Sequence, residues 1–253
     1  MKVKYISIMA FALFLFTCRS EKSKHVSKPI PDSTKTEVIA LSPDSTKENP
    51  QEALKKNLPK IDYDTTEWAE ILLEKDSIYV DMKYAGTDNF VEEQMYECSR
   101  CLLRPEVALA LLKAQKNISR KGYKLKVLDC YRPRPVQQKL WDKVPNASYV
   151  TPPKKGSMHN RGTAVDLTIV DAQGNELDMG TKFDYFGKEA HHDYYDLPEQ
   201  VLANRELLKQ TMRKAGFLPI RTEWWHYYFA KGAPKSHELS DYEWSCDPDK
   251  HGI

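Results

Sequence analysis

Residues 157–170 read SMHNRGTAVDLTIV and combine a strand pattern with charged groups that a core strand does not need. The alternation over residues 163–170 predicts a β-strand. One face of that strand is apolar and is formed by Val165, Leu167 and Ile169. Gly162 lets the chain turn sharply into the strand from the loop that holds His159. Asp166 lies on the other face, where a carboxylate is costly unless it is paired or binds a metal.

His159 and Asp166 together suit a metal site. A histidine in a loop and an aspartate on the adjoining strand can reach one point, and zinc accepts imidazole together with carboxylate. A second interpretation stays open on this spacing alone. In it, Asp166 pairs with an arginine and His159 caps its loop.

Residues 223–226 read EWWH and contain another glutamate and histidine close together. A hydrolytic zinc site needs a third protein ligand and a base for the attacking water, which His226 and Glu223 would supply. The aromatic sequence predicts a strand over residues 224–229, and residues three apart face opposite ways on a straight strand. Glu223 should therefore lie at a bend or bulge before that strand. The alternative is a core aromatic strand with a satisfied histidine and a surface glutamate.

Residues 129–133 read DCYRP and directly follow a short predicted strand. Arg132 is held between that strand and a turn that Pro133 makes rigid. A guanidinium fixed there can bind a substrate carboxylate or a developing oxyanion. The alternative is a structural salt bridge, with Asp129 as its partner.

The rest of the chain mixes strands and helices without a regular βαβ order. The patterns predict strands at 77–84 and 125–129, helices at 104–121 and 199–215, a short helix ending near 141, and a turn at 173–175. This order favours an α+β fold, a small antiparallel sheet with flanking helices. The net charge of +2 over 253 residues gives no indication of a nucleic-acid partner.

The N-terminal residues predict export. A basic start, an apolar run over residues 5–16 and Cys18 form a segment too short to span a membrane comfortably. Residues 1–18 resemble a bacterial lipoprotein signal, which implies a periplasmic or cell-envelope protein anchored to a membrane by a lipid on Cys18. An ordinary cleaved signal or an uncleaved anchor are the alternatives. Residues 19–60 are polar and predict a disordered tether, which leaves residues 61–253 as the functional domain.

Four further cysteines form an even set: Cys98, Cys101, Cys130 and Cys246. In an oxidising compartment such a set predicts disulfides, with free buried thiols as the alternative, and three pairings remain open. The C-x-x-C pair has no second such pair, so a structural zinc site is not favoured.

Four motifs in this order carry a family resemblance: D-x-Y-R-P at 129–133, S-x-H-x-x-G-x-A-x-D at 157–166, M-G-x-x-F-D at 179–184 and E-W-W-H at 223–226. Together they resemble the D-alanyl-D-alanine dipeptidases of vancomycin resistance, zinc peptidases that share a fold with the Hedgehog signalling domain. The resemblance covers roughly residues 65 to 232. It implies a Hedgehog/DD-peptidase-like α+β fold.

The resemblance also implies roles for particular residues. The ligands of one Zn²⁺ per chain would be His159, Asp166 and His226. Glu223 would be the general base and later the acid that protonates the leaving amine, and Arg132 would stabilise the transition state at the scissile carbonyl.

Three further residues are implied to bind the substrate. Asp184 and Tyr84 match residues near the free ammonium group of the dipeptide, and Ser157 matches a serine that lines the dipeptide pocket. The chain departs from the pattern at Cys130, where the family often has glycine.

The implied reaction is hydrolysis of D-alanyl-D-alanine or a related D,D-dipeptide by a metal-activated water. One alternative is a D,D- or L,D-carboxypeptidase or endopeptidase that acts on peptidoglycan stem peptides. Another is a non-catalytic, zinc-stabilised binding domain. The physiological substrate and the oligomeric state stay open.

Overall fold

The structure is a computed structural model that describes residues 67–230 and 237–247. The predicted signal at 1–18, the lipidation site Cys18 and the predicted tether at 19–60 lie outside these residues. Among the helices described, none combines the length and apolar character that crossing a membrane requires.

Four α-helices lie in the described residues, and local sequence accounts for their ends. They are α1 (Leu73–Asp76), α2 (Pro105–Ser119), α3 (Arg134–Lys143) and α4 (Glu199–Ala215). Pro105 stands at the first position of α2, where its missing N–H costs no helical hydrogen bond. Gly216 ends α4 in the left-handed conformation, at φ 106°.

Seven strands form two sheets in the described part of the chain. They are β1 (Ala69–Ile71), β2 (Tyr79–Val80), β3 (Cys101–Leu103), β4 (Lys124–Asp129), β5 (Ala164–Val170), β6 (Phe217–Pro219) and β7 (His226–Phe229). A two-stranded antiparallel sheet joins β1 to β3. A five-stranded sheet has the order β2-β4-β5-β7-β6, antiparallel except for the parallel pair β2–β4.

The central strand of the larger sheet is β5, the strand predicted from the alternation at 163–170. All seven of its residues are buried. Its register sets Asp166 opposite His226 on β7 and opposite Asp129 on β4. The pairing with β4 shifts register between Val127 and Asp129, so the chain is irregular where β4 ends. The sheet therefore brings residues from three separate motifs to one end of β5.

The predicted α+β fold with flanking helices is confirmed, and some elements differ in extent. The strand predicted at 77–84 is reduced to β2, after which a 3₁₀ turn forms at Lys83–Ala85. Its expected inward face is nevertheless largely buried, as Ile78, Met82 and Tyr84 are 0%, 3% and 2% exposed. The strand predicted at 224–229 begins only at His226. The short strands β1, β3 and β6 were not predicted, because three residues carry too little periodic pattern.

The predicted disulfides are present, and the structure selects one of the three pairings. Cys98 pairs with Cys246, and Cys101 on β3 pairs with Cys130 directly after β4. The first bridge fastens the C-terminal segment to the domain, and the second joins the two sheets.

Candidate functional site

Three side chains that could hold a metal converge at one end of β5. Asp166 lies on β5 itself, and His226 is the first residue of β7 and its cross-strand neighbour. His159 begins a 3₁₀ turn that ends at Gly162, whose φ of 68° lets the chain enter β5. The three side chains are 3–6% exposed. Burial of a carboxylate with two imidazoles is costly unless they are paired or bind a metal.

The facing atoms of these residues are close enough to share one ion. His226 Nδ1 lies 2.9 Å from Asp166 Oδ1 and 3.1 Å from His159 Nε2. His159 Nε2 lies 3.3 Å from Asp166 Oδ1. All three ligand atoms fall within 4.8 Å of one another. Two imidazole nitrogens and one carboxylate oxygen form a donor set that suits a catalytic zinc ion.

The surroundings orient these ligands. His159 Nδ1 lies 2.6 Å from the backbone carbonyl oxygen of Cys130, so Nδ1 donates to this carbonyl and Nε2 faces the site. Burial disfavours the charged form of Asp166, but His159 and His226 outweigh it and hold the pKa of this carboxyl well below its usual range. Asp166 therefore stays ionised, as a metal ligand must.

Glu223 lies at the bend that the sequence required. His226 donates its backbone N–H to the carbonyl of Glu223 at 3.4 Å, which closes a turn just before β7. This turn brings Glu223 Oε2 to 3.9 Å from His226 Nδ1. Burial raises the pKa of the Glu223 carboxyl, and the charge of Asp166 raises it further against the opposing effect of His226. A carboxyl in such an environment is suited to accept and return a proton.

Arg132 is fixed beside the three candidate metal ligands by three hydrogen bonds. Its Nε and Nη2 donate to Asp129 Oδ2 at 3.1 and 2.6 Å, and its Nη1 donates to Gln137 Oε1 at 3.0 Å. A guanidinium has five donors, so these bonds fix its position without using its full capacity. Burial alone would lower the pKa of Arg132, but the Asp129 carboxylate raises it well above the ordinary value and keeps the group charged.

Tyr84 and Asp184 form a pair at the same site. The Tyr84 hydroxyl donates to Asp184 Oδ2 at 2.9 Å, and the Arg132 guanidinium lies 4.9 Å from the centre of the Tyr84 ring. Burial, followed by the charge of Asp166, raises the pKa of the Asp184 carboxyl well above its usual value. Asp184 has a φ of 59°, which is uncommon for a residue with a side chain.

One cavity of about 500 Å³ joins all these groups. Its lining contains every residue that the sequence predicted for the site: Tyr84, Arg132, Ser157, His159, Asp166, Asp184, Glu223 and His226. A larger cavity of about 900 Å³ borders it, with Phe90 and Asp184 lining both. The lining of the larger cavity contains none of the three candidate metal ligands, so the candidate site lies in the smaller cavity.

Sequence reasoning missed several residues that hold the site together. The Asn160 side chain donates to the carbonyl of Arg132 at 2.7 Å and accepts from the N–H of Ser157 at 2.7 Å. Gln137 supports Arg132 from α3, and the Tyr96 hydroxyl donates to Asp129 Oδ1 at 2.8 Å. Asn160 stands inside a quoted motif and could have been singled out there. Nothing in the local pattern around Gln137 or Tyr96 distinguishes them from ordinary core residues.

Comparisons with known proteins identify the family of the chain. A family model described as D-ala-D-ala dipeptidase (Peptidase_M15) matches residues 67–243. D-alanyl-D-alanine dipeptidase of Escherichia coli (strain K12) is 37% identical over 183 residues, which cover 72% of this chain and 94% of that protein. The protein of the same name from Enterococcus faecalis (strain ATCC 700802 / V583) is 33% identical over 171 residues, 58% of this chain and 83% of that protein.

Solved structures show more distant likenesses. A vancomycin resistance D,D-pentapeptidase, VanY, in complex with Zn(II) has a TM-score of 0.36 at 18% identity, covering 53% of this chain and 78% of that one. The LdcB LD-carboxypeptidase has a TM-score of 0.36 at 20% identity, covering 53% of this chain and 62% of that one.

Proposed function

The chain belongs to the D-Ala-D-Ala dipeptidase family of peptidases, and from this premise we propose that it is a zinc-dependent dipeptidase that hydrolyses D-alanyl-D-alanine or a related D,D-dipeptide. One observation carries the proposal. A cluster of two histidines and an aspartate, with a glutamate 3.9 Å from one of its ligand atoms, opens on a cavity that a dipeptide could enter.

The residues present fit a single zinc ion. Its ligand atoms would be His159 Nε2, Asp166 Oδ1 and His226 Nδ1, which face one another at 2.9–3.3 Å. Three protein ligands and an open side toward a cavity are typical of a catalytic rather than a structural zinc site. A zinc ion bound there would supply a Lewis acid and would lower the pKa of a coordinated water.

The chain's own groups then divide the proton transfers and the charge between them. Glu223 accepts the proton of the attacking water and returns it to the departing amine. Arg132, held by Asp129, stabilises the negative charge that develops on the scissile carbonyl oxygen. Its fixed position matters because a donor that is already oriented needs no reorganisation as the charge forms.

The Tyr84–Asp184 pair supports a preference for dipeptides. A carboxylate that lines the cavity can bind the free ammonium group of a short substrate, and the tyrosine hydroxyl orients it. An ammonium group would also offset the desolvation that raises the pKa of Asp184. A carboxypeptidase acting on stem peptides would need an open groove at this place, so the pair favours the dipeptidase over that alternative.

We also propose that the chain is exported and anchored to a membrane of the cell envelope by a lipid on Cys18. The basic and apolar pattern of residues 1–18 supports this, and two disulfides are typical of proteins in an oxidising compartment. Radiolabelled palmitate should be incorporated into the wild-type chain and not into the Cys18→Ala variant. A soluble, unlabelled mature protein would refute the lipid anchor.

The reaction is tested by separating metal binding from catalysis. Wild-type protein should contain one zinc per chain and hydrolyse D-Ala-D-Ala, while a blocked tripeptide ending in D-Ala-D-Ala should be cleaved far more slowly. Glu223→Ala should retain zinc and lose hydrolysis, whereas His226→Ala should lose zinc. Loss of zinc from the Glu223 variant would make Glu223 a ligand, and full zinc occupancy in the His226 variant would refute the ligand assignment. Faster cleavage of the blocked tripeptide would favour the carboxypeptidase.

A further inference from the structure

We propose that the Cys101–Cys130 disulfide positions the metal ligand His159 and thereby sets the affinity of the chain for its metal. The inference rests on the proposed zinc site and assigns to these two cysteines a part in it that the ligands alone do not reveal. Cys101 and Cys130 are positioning residues, because they act through His159 and not on a substrate.

The contact that carries this inference is a hydrogen bond to the backbone of Cys130. His159 Nδ1 lies 2.6 Å from the Cys130 carbonyl oxygen, in a region where both residues are at most 3% exposed. A bond from the outer ring nitrogen to a carbonyl fixes the tautomer and the orientation of a metal-binding histidine. The position of one carbonyl group therefore decides where His159 Nε2 points.

That carbonyl lies where the regular sheet no longer holds the chain. Cys130 is the first residue after β4, and the β4–β5 ladder has already shifted register between Val127 and Asp129. Beyond this point the chain is joined to β3 in two ways. The Tyr131 N–H donates to the carbonyl of Leu102 at 2.9 Å, and the Cys130 side chain is bonded covalently to Cys101. The disulfide thus holds Cys130 in place at a point where the β4–β5 ladder supplies no hydrogen bond.

A competing partner makes the position of this carbonyl matter. Asp129 Oδ2 lies 3.5 Å from His159 Nδ1, farther than the Cys130 carbonyl, and the same oxygen holds Arg132. If the Cys130 carbonyl moved away, His159 could turn toward Asp129. The ring would then present Nε2 differently to the metal, and Arg132 would share Asp129 Oδ2 with a second donor.

The second disulfide provides a matched control. Cys98 and Cys246 are both half-buried, and their bridge spans a sequence separation of 148 residues, compared with 29 for Cys101–Cys130. The longer loop should contribute at least as much to stability through the entropy of the unfolded chain. Among the described residues, no hydrogen bond joins Cys98 or Cys246 to a metal-site residue. Removal of the Cys98–Cys246 disulfide therefore lowers the stability of the protein without displacing a metal ligand.

The experiment compares C101A/C130A with C98A/C246A in the full chain. Zinc affinity is measured by competition with a chromophoric chelator, and stability by urea unfolding of the metal-free proteins. C101A/C130A should bind zinc about 10–100-fold more weakly, the usual effect of losing an outer partner of a ligand. C98A/C246A should bind zinc within about threefold of wild type even if it is equally destabilised, because this variant loses no hydrogen bond to a metal-site residue.

The hydrogen bond from His159 Nδ1–H to the Cys130 carbonyl is a readout that a purely structural role would not move. Nitrogen-15 NMR of the zinc-loaded proteins should show an Nδ1–H of His159 that is protected from exchange in wild type and C98A/C246A, and one that exchanges faster in C101A/C130A. Unchanged zinc affinity in C101A/C130A would overturn the proposal, as would unchanged protection of this N–H or an equal loss of affinity in both variants. Should C101A/C130A fail to fold, C101V/C130A, which better preserves the side-chain volume, is measured in its place, and wild-type affinity in that variant also overturns the proposal.

These outcomes are distinct from failure of the proposed function. If wild-type chain binds no zinc, the zinc site itself is wrong. If wild type binds zinc and hydrolyses the dipeptide while C101A/C130A binds zinc equally well, only the positioning role is wrong.

Discussion

Replacement of Gly162 by alanine should destabilise the protein markedly, because two separate costs fall on this position. Gly162 has a φ of 68°, and a left-handed backbone costs a residue with a side chain about 1–2 kcal/mol. An added Cβ would also lie 2.5 Å from the Trp68 ring and 3.3 Å from Arg104 Cγ. Trp68 is 2% exposed, so it can move only by disturbing a packed core, which costs about 1–3 kcal/mol. The free energy of unfolding should therefore fall by about 2–5 kcal/mol.

Gly122 provides the control for this prediction. It has a φ of 83°, but no atom lies within 4 Å of the place where its Cβ would stand. Gly122→Ala should therefore cost only the backbone part, about 1–2 kcal/mol. Urea unfolding of both metal-free variants measures the difference. A loss in Gly162→Ala no larger than that in Gly122→Ala would show that the close approach to Trp68 has no energetic effect.

Three other perturbations have defined outcomes. Asp129→Ala leaves the buried Arg132 guanidinium without its carboxylate partner. The free energy of unfolding, measured in urea, should fall by about 3–5 kcal/mol. A decrease below about 1 kcal/mol would contradict the prediction. Tyr84→Phe removes the hydrogen bond to Asp184 and should raise KM for D-Ala-D-Ala about fivefold or more, with a smaller change in kcat. The reason is that a hydrogen bond from a neutral donor to a charged group contributes about 1 kcal/mol or more. An effect on kcat alone would argue against a role of Tyr84 in substrate binding. The pKa of His192 is lowered to about 4, first by burial and then by the charge of Lys209. The free energy of unfolding therefore falls as the pH decreases from the ordinary histidine pKa of 6.5 toward 4. Between pH 7 and 5 the free energy of unfolding should fall by about 1–2 kcal/mol in wild type because of His192, and this contribution should be absent from His192→Gln. Parallel profiles of stability against pH for the two proteins would refute the prediction.

The bend at Glu223 was predictable from sequence because it follows from strand geometry. Two residues three apart cannot serve one site from a straight strand. The structure resolves this conflict with a turn at residues 223–226 and a strand that begins at His226. The sequence could not say where the strand would start, because Trp224 and Trp225 favour a strand as strongly as the residues after them.

The supports of the site were much less predictable. Chain spacing does not restrict the pairing of the four cysteines, so the sequence cannot choose among the three possibilities. The hydrogen bond from His159 to the Cys130 carbonyl has no side-chain signature at position 130, because any residue supplies a carbonyl. Gln137 and Tyr96 likewise resemble ordinary members of a helix and of a core.

The sequence by itself determined the kinds of groups at the site and their order along the chain. Local motifs contain that information, since a histidine, an aspartate and a glutamate at set spacings are recognisable without coordinates. Only the tertiary structure decided which of them meet. Tyr84 and Asp184 are 100 positions apart, and the two histidines of the candidate metal site are 67 apart. Contacts at such separations depend on strand register and on packing of the whole core, which no local pattern encodes.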